Sequence, residues 1–221
     1  MAQVLVFDVN ETLLDLGVLD PHFERVFGDA GVRKQWFGLV LRNAMTLTIT
    51  GDYTDFVTVA TASLDMVGDQ LGVSPSPADR AAIRETMASL PTHPDVAPGL
   101  ERLHATGARL VALTNSPRDA AVSQLTNAGI ARLFEQIMSV EDIGKFKPAR
   151  EVYEMAAHRL GVTTAEMTMV AAHDWDVAGA MRAGCVGAYV LRTGKALNPL
   201  YPPPDIVGPD LLAVAERILA V

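Results

Sequence analysis

Asp8 closes the apolar run Val4-Leu5-Val6-Phe7, and Thr12 follows four positions later. A carboxylate at the end of a buried strand is placed to act as a nucleophile, splitting one hard displacement into two easier steps. Three more polar points lie downstream: Thr114-Asn115, then Lys147 in Gly144-Lys145-Phe146-Lys147-Pro148, then His173-Asp174-Trp175-Asp176. Lys147 could balance a carboxylate. His173, with an ordinary pKa of about 6.5, suits proton transfer near neutrality. Asn10, two residues beyond Asp8, has no proton to give an alkoxide.

Positioning these groups takes strands that end together. Val4–Phe7 is too short for an amphipathic helix and reads as a strand buried on both faces. Arg109–Leu113, Gln136–Val140, Met167–Ala172 and Gly187–Leu191 read the same way. Helical patterns at 96–106, 117–127, 150–160 and 177–183 separate them. Alternating strands and helices imply an α/β fold with a parallel sheet. In such sheets ligands bind at the carboxyl ends of strands. Between the first strand and the rest, 16–28, 34–50, 54–71 and 76–89 carry helical spacing without convincing strands. The expected organisation is a core of residues 1–14 and 93–221, interrupted by a helical insertion at 15–92. Tyr201-Pro202-Pro203-Pro204 reads as a surface turn or extended segment.

Composition narrows the class. The 221 residues are 49% hydrophobic and 20% charged, which is globular. A net charge of −8 without a basic cluster argues against nucleic acid as a partner. No stretch is apolar enough to span a membrane. The lone Cys185 suits a buried residue in a reducing compartment, so a cytoplasmic location is expected. Trp36, Phe37 and Phe56 are expected to pack the insertion, with lining of the pocket by one of them as the alternative. His22, His93, His104 and His158 lack ligand spacing and read as surface residues, and Asp174 as a helix cap.

Taken in order around the insertion, these motifs resemble the haloacid dehalogenase superfamily, and within it the (S)-2-haloacid dehalogenase branch. The resemblance covers essentially the whole chain. It implies a Rossmann-like core with an inserted helical cap. Asp8 matches the nucleophile, Thr114-Asn115 the second motif, Lys147 the lysine motif and Asp176 the final acid. Phosphatases of this superfamily carry a second acid where Asn10 stands. They also carry an aspartate for Mg²⁺ where Ala172 stands. Both are missing, so the expected reaction uses no metal and no cofactor. The branch implies further roles. Thr12 and Lys147 orient Asp8, and Arg42 is aimed at the halide and substrate carboxylate. Asn10, Thr114, Asn115, Tyr153 and Trp175 contact the substrate. Asp176, or His173, activates water. Ala171, His173 and the pair Asn10-Glu11, which stands for a tyrosine–glycine pair, depart from the pattern.

The expected function is therefore hydrolysis of haloacetate or an L-2-haloacid to the D-2-hydroxyacid and halide, through an aspartyl ester. The expected partners are the small haloacid and its halide, and the family allows a homodimer. The alternatives are a phosphatase acting on a small phosphate ester and a hydrolase opening a strained cyclic amino acid. A binding protein without activity is a further rival, against which the full set Asp8, Lys147 and Asp176 argues.

Overall fold

The computed structural model describes residues 3–220. The chain starts with β1 (Val4–Phe7), whose side chains are buried throughout. A short 3₁₀ turn at Leu16–Leu19 precedes α1 (Asp20–Phe27), where one continuous helix was expected. Asp15 accepts a hydrogen bond from the Gly17 amide, and Pro21 sits in the first turn of α1. The proline has no amide to continue the earlier turn, so the segment breaks there. Then come α2 (Val32–Thr50), α3 (Phe56–Leu71) and α4 (Pro77–Ala88). Asp55 caps α3 through the amides of Val57 and Thr58, and Ser76 with Asp79 forms a capping box on α4.

The alternating part follows: α5 (Val96–His104), β2 (Arg109–Thr114), α6 (Arg118–Asn127) and β3 (Gln136–Ser139). Next are α7 (Arg150–Leu160), β4 (Met167–Ala171), α8 (Asp174–Ala183) and β5 (Val186–Val190). β6 (Ile206–Gly208) and α9 (Leu211–Leu219) follow, two elements beyond those expected from the sequence. All six strands are parallel, in the order β3-β2-β1-β4-β5-β6. β1 lies between β2 and β4, where the strand order reverses. A doubly wound sheet opens its ligand crevice at that point.

The helical segment leaves and rejoins the sheet at one place. Leu14 bridges Thr92, the Asp15 amide donates to the Pro91 carbonyl, and the His93 amide donates to the Leu13 carbonyl. Buried apolar side chains of both parts form one continuous cluster, from Val6 and Leu113 in the sheet to Trp36 and Val40 in α2. Among the described residues no helix is long and apolar enough to cross a membrane. Cys185 is a free, buried thiol that burial pushes up to about 12, which keeps it inert.

Candidate active site

Asp8 stands one residue beyond β1, and its amide still donates to the Val170 carbonyl of β4. The chain turns sharply there, so Thr12 comes back against it: Thr12 Oγ1 donates to Asp8 Oδ2 at 2.6 Å. The Ala172 amide in turn donates to Thr12 Oγ1 at 2.9 Å. Lys147 Nζ donates to Asp8 Oδ1 at 2.8 Å, to Asp176 Oδ2 at 2.5 Å and to the Leu113 carbonyl at 3.0 Å. All three of its hydrogens are therefore engaged, and its side chain is 1% exposed. Tyr153 donates its hydroxyl to Asp176 Oδ1 at 2.7 Å.

The buried charges set one another. Burial opposes ionisation of Asp8, but the charge of Lys147, with the bonds from Lys147 and Thr12, outweighs it, and His173 adds to this only when its ring is protonated. Asp8 stays below the usual carboxylate range. Burial, with Asp8 close by, pushes Asp176 up despite its bond to Lys147. Lys147 is depressed by burial, yet the two carboxylates raise it above its ordinary value and it remains an ammonium. Burial and the charge of Asp176 raise the Tyr153 phenol well above the ordinary value, so it remains a donor.

The other expected residues divide. Asn10 is buried; its Nδ2 donates to Ser116 Oγ at 3.1 Å, while Oδ1 has no protein partner. Asn115 Oδ1 accepts from the Lys147 amide at 3.0 Å, which fixes the lysine loop to the end of β2. Thr114 Oγ1 accepts from the Ser116 amide and is buried. His173 immediately precedes α8, makes no side-chain capping bond and is buried. Trp175 is half-buried and packs its ring on His173 at 5.1 Å. Asp174 occupies the first position of α8 with no capping bond, contrary to the expected cap.

Arg42 is not brought to this site. It is exposed, and its side chain meets only Asn43 Oδ1, at 3.5 Å. The reason is helical phase. The buried residues of α2 are Val32, Arg33, Trp36, Phe37, Leu39, Val40 and Ala44. At about 100° per residue, a position nine residues from Arg33 lies on the opposite face. Arg33 takes the inward place: its NH1 lies 3.2 Å from Glu11 Oε1, and its Nε pairs with Asp20.

Three residues missed by the sequence reading thus join the site: Glu11, Arg33 and Lys195. Lys195 Nζ donates to Glu11 Oε2 at 2.6 Å and lies 3.5 Å from His173 Nδ1. Glu11 has φ +61°, alone among the described non-glycine residues in the left-handed region. Its signal was present, since the resemblance places glycine at this position. The three residues line a cavity of 260 Å³ with Phe37, Leu41 and Arg192. Asp8 does not line it; Phe37, Glu11 and Lys195 all approach His173, which stands between. His93 also lines the cavity, half-buried with its Nε2 unpartnered, so it is not the surface residue expected.

Phosphatases of the superfamily that the motifs resemble use Mg²⁺, and the residues here do not fit it. That ion wants oxygen donors in near-octahedral array. An ammonium fills the place between Asp8 and Asp176, His173 Nε2 lies 3.3 Å from the Asn10 carbonyl, and position 172 is alanine. Among the described residues of the site, Asn10 Oδ1 is the buried side-chain oxygen without any partner.

Comparison with known proteins agrees with this architecture. The model of the haloacid dehalogenase-like hydrolase family matches residues 2–184, and the chain belongs to that family. It is 27% identical over 220 residues to an (S)-2-haloacid dehalogenase of Pseudomonas putida, covering 98% of this chain and 96% of that protein. The structure of an L-2-haloacid dehalogenase from Xanthobacter autotrophicus superposes with a TM-score of 0.92 at 25% identity, covering all of both chains. The same enzyme with chloropropionic acid covalently bound superposes with a TM-score of 0.91, again at 25% identity over all of both chains.

Proposed function

We propose that this chain hydrolyses the carbon–halogen bond of short 2-haloalkanoic acids, turning haloacetate or an L-2-haloacid into the 2-hydroxyacid, D in the chiral case, and halide. The observation that carries the reading is the buried ammonium of Lys147, which holds Asp8 ionised without a metal. Asp8 attacks the halogen-bearing carbon, a C–O bond forms, and halide leaves with the C–X electron pair. Water then adds to the Asp8 carboxyl carbon, and the acyl C–O bond breaks to release the hydroxyacid and restore Asp8. Each oxygen of Asp176 keeps a lone pair beyond its bond to Lys147 or Tyr153, so Asp176 is the acceptor for the water proton. Asn10 Oδ1 is the unpartnered acceptor available to orient that water. Thr114 and Asn115 flank the substrate, and Trp175 forms a wall of its pocket. Arg42 is left out of this mechanism, since it faces solvent on the far side of α2.

The relatives support the reading, since their names are those of haloacid dehalogenases. The phosphatase alternative is disfavoured by Asn10, which cannot protonate a leaving alkoxide, and by the poor fit to Mg²⁺. Residues 15–92 serve in this reading as a cap over a core of 1–14 and 93–221, supported by the bridges that join their ends. A cytoplasmic homodimer completes the proposal. Single-turnover hydrolysis of 2-chloropropionate in ¹⁸O-water, with chelator present, tests the chemistry. The expected product carries ordinary oxygen, and Asp8 gains the label. Solvent oxygen in the product of the first cycle would rule out the ester.

A further inference from the structure

We infer that Lys195 is a positioning residue: it fixes the tautomer of His173 so that the imidazole presents Nε2–H, and not a lone pair, toward Asp8. The surroundings of the two ring nitrogens differ in kind. Nε2 lies 3.3 Å from the Asn10 carbonyl oxygen, 3.7 Å from Glu11 Oε2 and 3.8 Å from Asp8 Oδ2. All three are acceptors. Nδ1 lies 3.5 Å from Lys195 Nζ, an ammonium that can only donate. A neutral imidazole has one N–H and one lone pair. Only the Nε2–H form sets each against its complement. The other form would point Nδ1–H at an ammonium and a lone pair at two carboxylates and a carbonyl.

Lys195 is itself held for this task. Glu11 Oε2 accepts from it at 2.6 Å, and the other Glu11 oxygen meets Arg33. The rings of Phe37 and Trp175 pack beside the imidazole, 6.1 and 5.1 Å away by centroid. The charged groups acting on it are therefore Asp8, Glu11, Lys195 and, more weakly, Asp176. Burial and the Lys195 charge disfavour a second proton more than the carboxylates favour it, which keeps the ring neutral.

The consequence rests on the haloacid reading. In this tautomer His173 cannot take a proton from water on the Asp8 side, because the only lone pair of the ring faces Lys195. It is a hydrogen-bond donor to an anionic group that arrives beside Asp8, either the substrate carboxylate or the departing halide. The proton of ester hydrolysis is left to Asp176.

The experiment is a long-range ¹H–¹⁵N correlation spectrum of the full chain, with labelled histidine, at neutral pH. His173 is assigned by the signals lost in His173→Gln. The expected pattern is that of an Nε2–H tautomer, and an Nδ1–H or imidazolium pattern overturns the proposal. In Lys195→Met the pattern is expected to become a tautomer mixture, and an unchanged spectrum removes Lys195 from the role. Halide release from chloroacetate gives the catalytic arm. Loss of one preorganised donor costs about 100-fold, so His173→Leu should fall by that much. His173→Gln keeps an N–H and no titratable ring, and is expected within about ten-fold of the parent. If Gln is as impaired as Leu, the donor role is wrong. Absence of halide release from the parent chain would sink the haloacid reading while leaving the tautomer spectrum readable.

Discussion

Lys147 commits one hydrogen to each of two carboxylates and the third to a backbone carbonyl, in a place closed to water. Such an arrangement is costly to break from one side, because an unpaired buried charge remains. It explains how a carboxylate can stay ionised deep in a protein without a metal. Glu11 is a second residue under constraint. Its left-handed backbone costs on the order of 1–3 kcal/mol in a side chain with a Cβ. Its carboxylate offsets this by joining Lys195 and Arg33. Two substitutions separate the effects, since both remove the carboxylate and only one keeps the Cβ. Glu11→Gly is expected to be more stable than Glu11→Ala by about 1 kcal/mol, read from urea unfolding midpoints. Equal midpoints would mean the backbone there carries no strain.

At the scale of elements, α8 sits unusually close to its neighbours. A Cβ built on Gly179 would stand 2.9 Å from the Tyr153 hydroxyl and 3.0 Å from the Pro148 carbonyl oxygen. Those residues adjoin Lys147 and hold Asp176. Gly179→Ala is therefore expected to push α8 away, costing about 1–3 kcal/mol of stability and lowering halide release more than ten-fold. Thermal unfolding beside a turnover assay checks both, and a fully active variant would contradict the close packing. The strands that carry Asp8, Thr114 and His173 were legible in the sequence, because buried parallel strands read as short apolar runs between turns. The last pair was not. β6 has three residues after a proline-rich stretch, too few to show a period, although Asp210 before Leu211, Val214, Ala215 and Ile218 marks α9 as an amphipathic helix. Arg42 was misread because no resemblance specifies the rotation of α2, whereas its buried stripe does.

The whole molecule joins sheet and insertion through shared packing and not through the linking strands alone. Phe56 and Tyr53 pack on Phe146, and Gln124 and Asn127 of α6 donate to the carbonyls of Met87 and Ala88. The chain has two tryptophans, Trp36 in α2 and Trp175 in α8. Each therefore reports on one part when the other is replaced by phenylalanine. One continuous core predicts coincident urea transitions in Trp36→Phe and Trp175→Phe, each followed by fluorescence and by circular dichroism in the same sample. Fluorescence and dichroism transitions that part company in either variant would show that the insertion unfolds alone. The contacts among Glu11, Arg33 and Lys195 belong to this scale as well. They join three segments far apart in sequence, and no local pattern announces such a meeting.

The cavity beside Glu11 has a consequence for arrival. The molecule carries a net charge of −8, so an organic acid anion diffusing toward most of its surface is repelled. Over this one opening the charges balance, because Arg33, Lys34, Arg192 and Lys195 stand against Glu11 and Asp15 in the lining and against Asp20 and Asp95, which pair with Arg33 and Arg192. An anion meets less repulsion at this mouth than the net charge of the molecule imposes elsewhere. The mouth is a gap in a repulsive shell whose height is set by dissolved salt, and the contrast fades as the screening length shrinks below the width of the molecule.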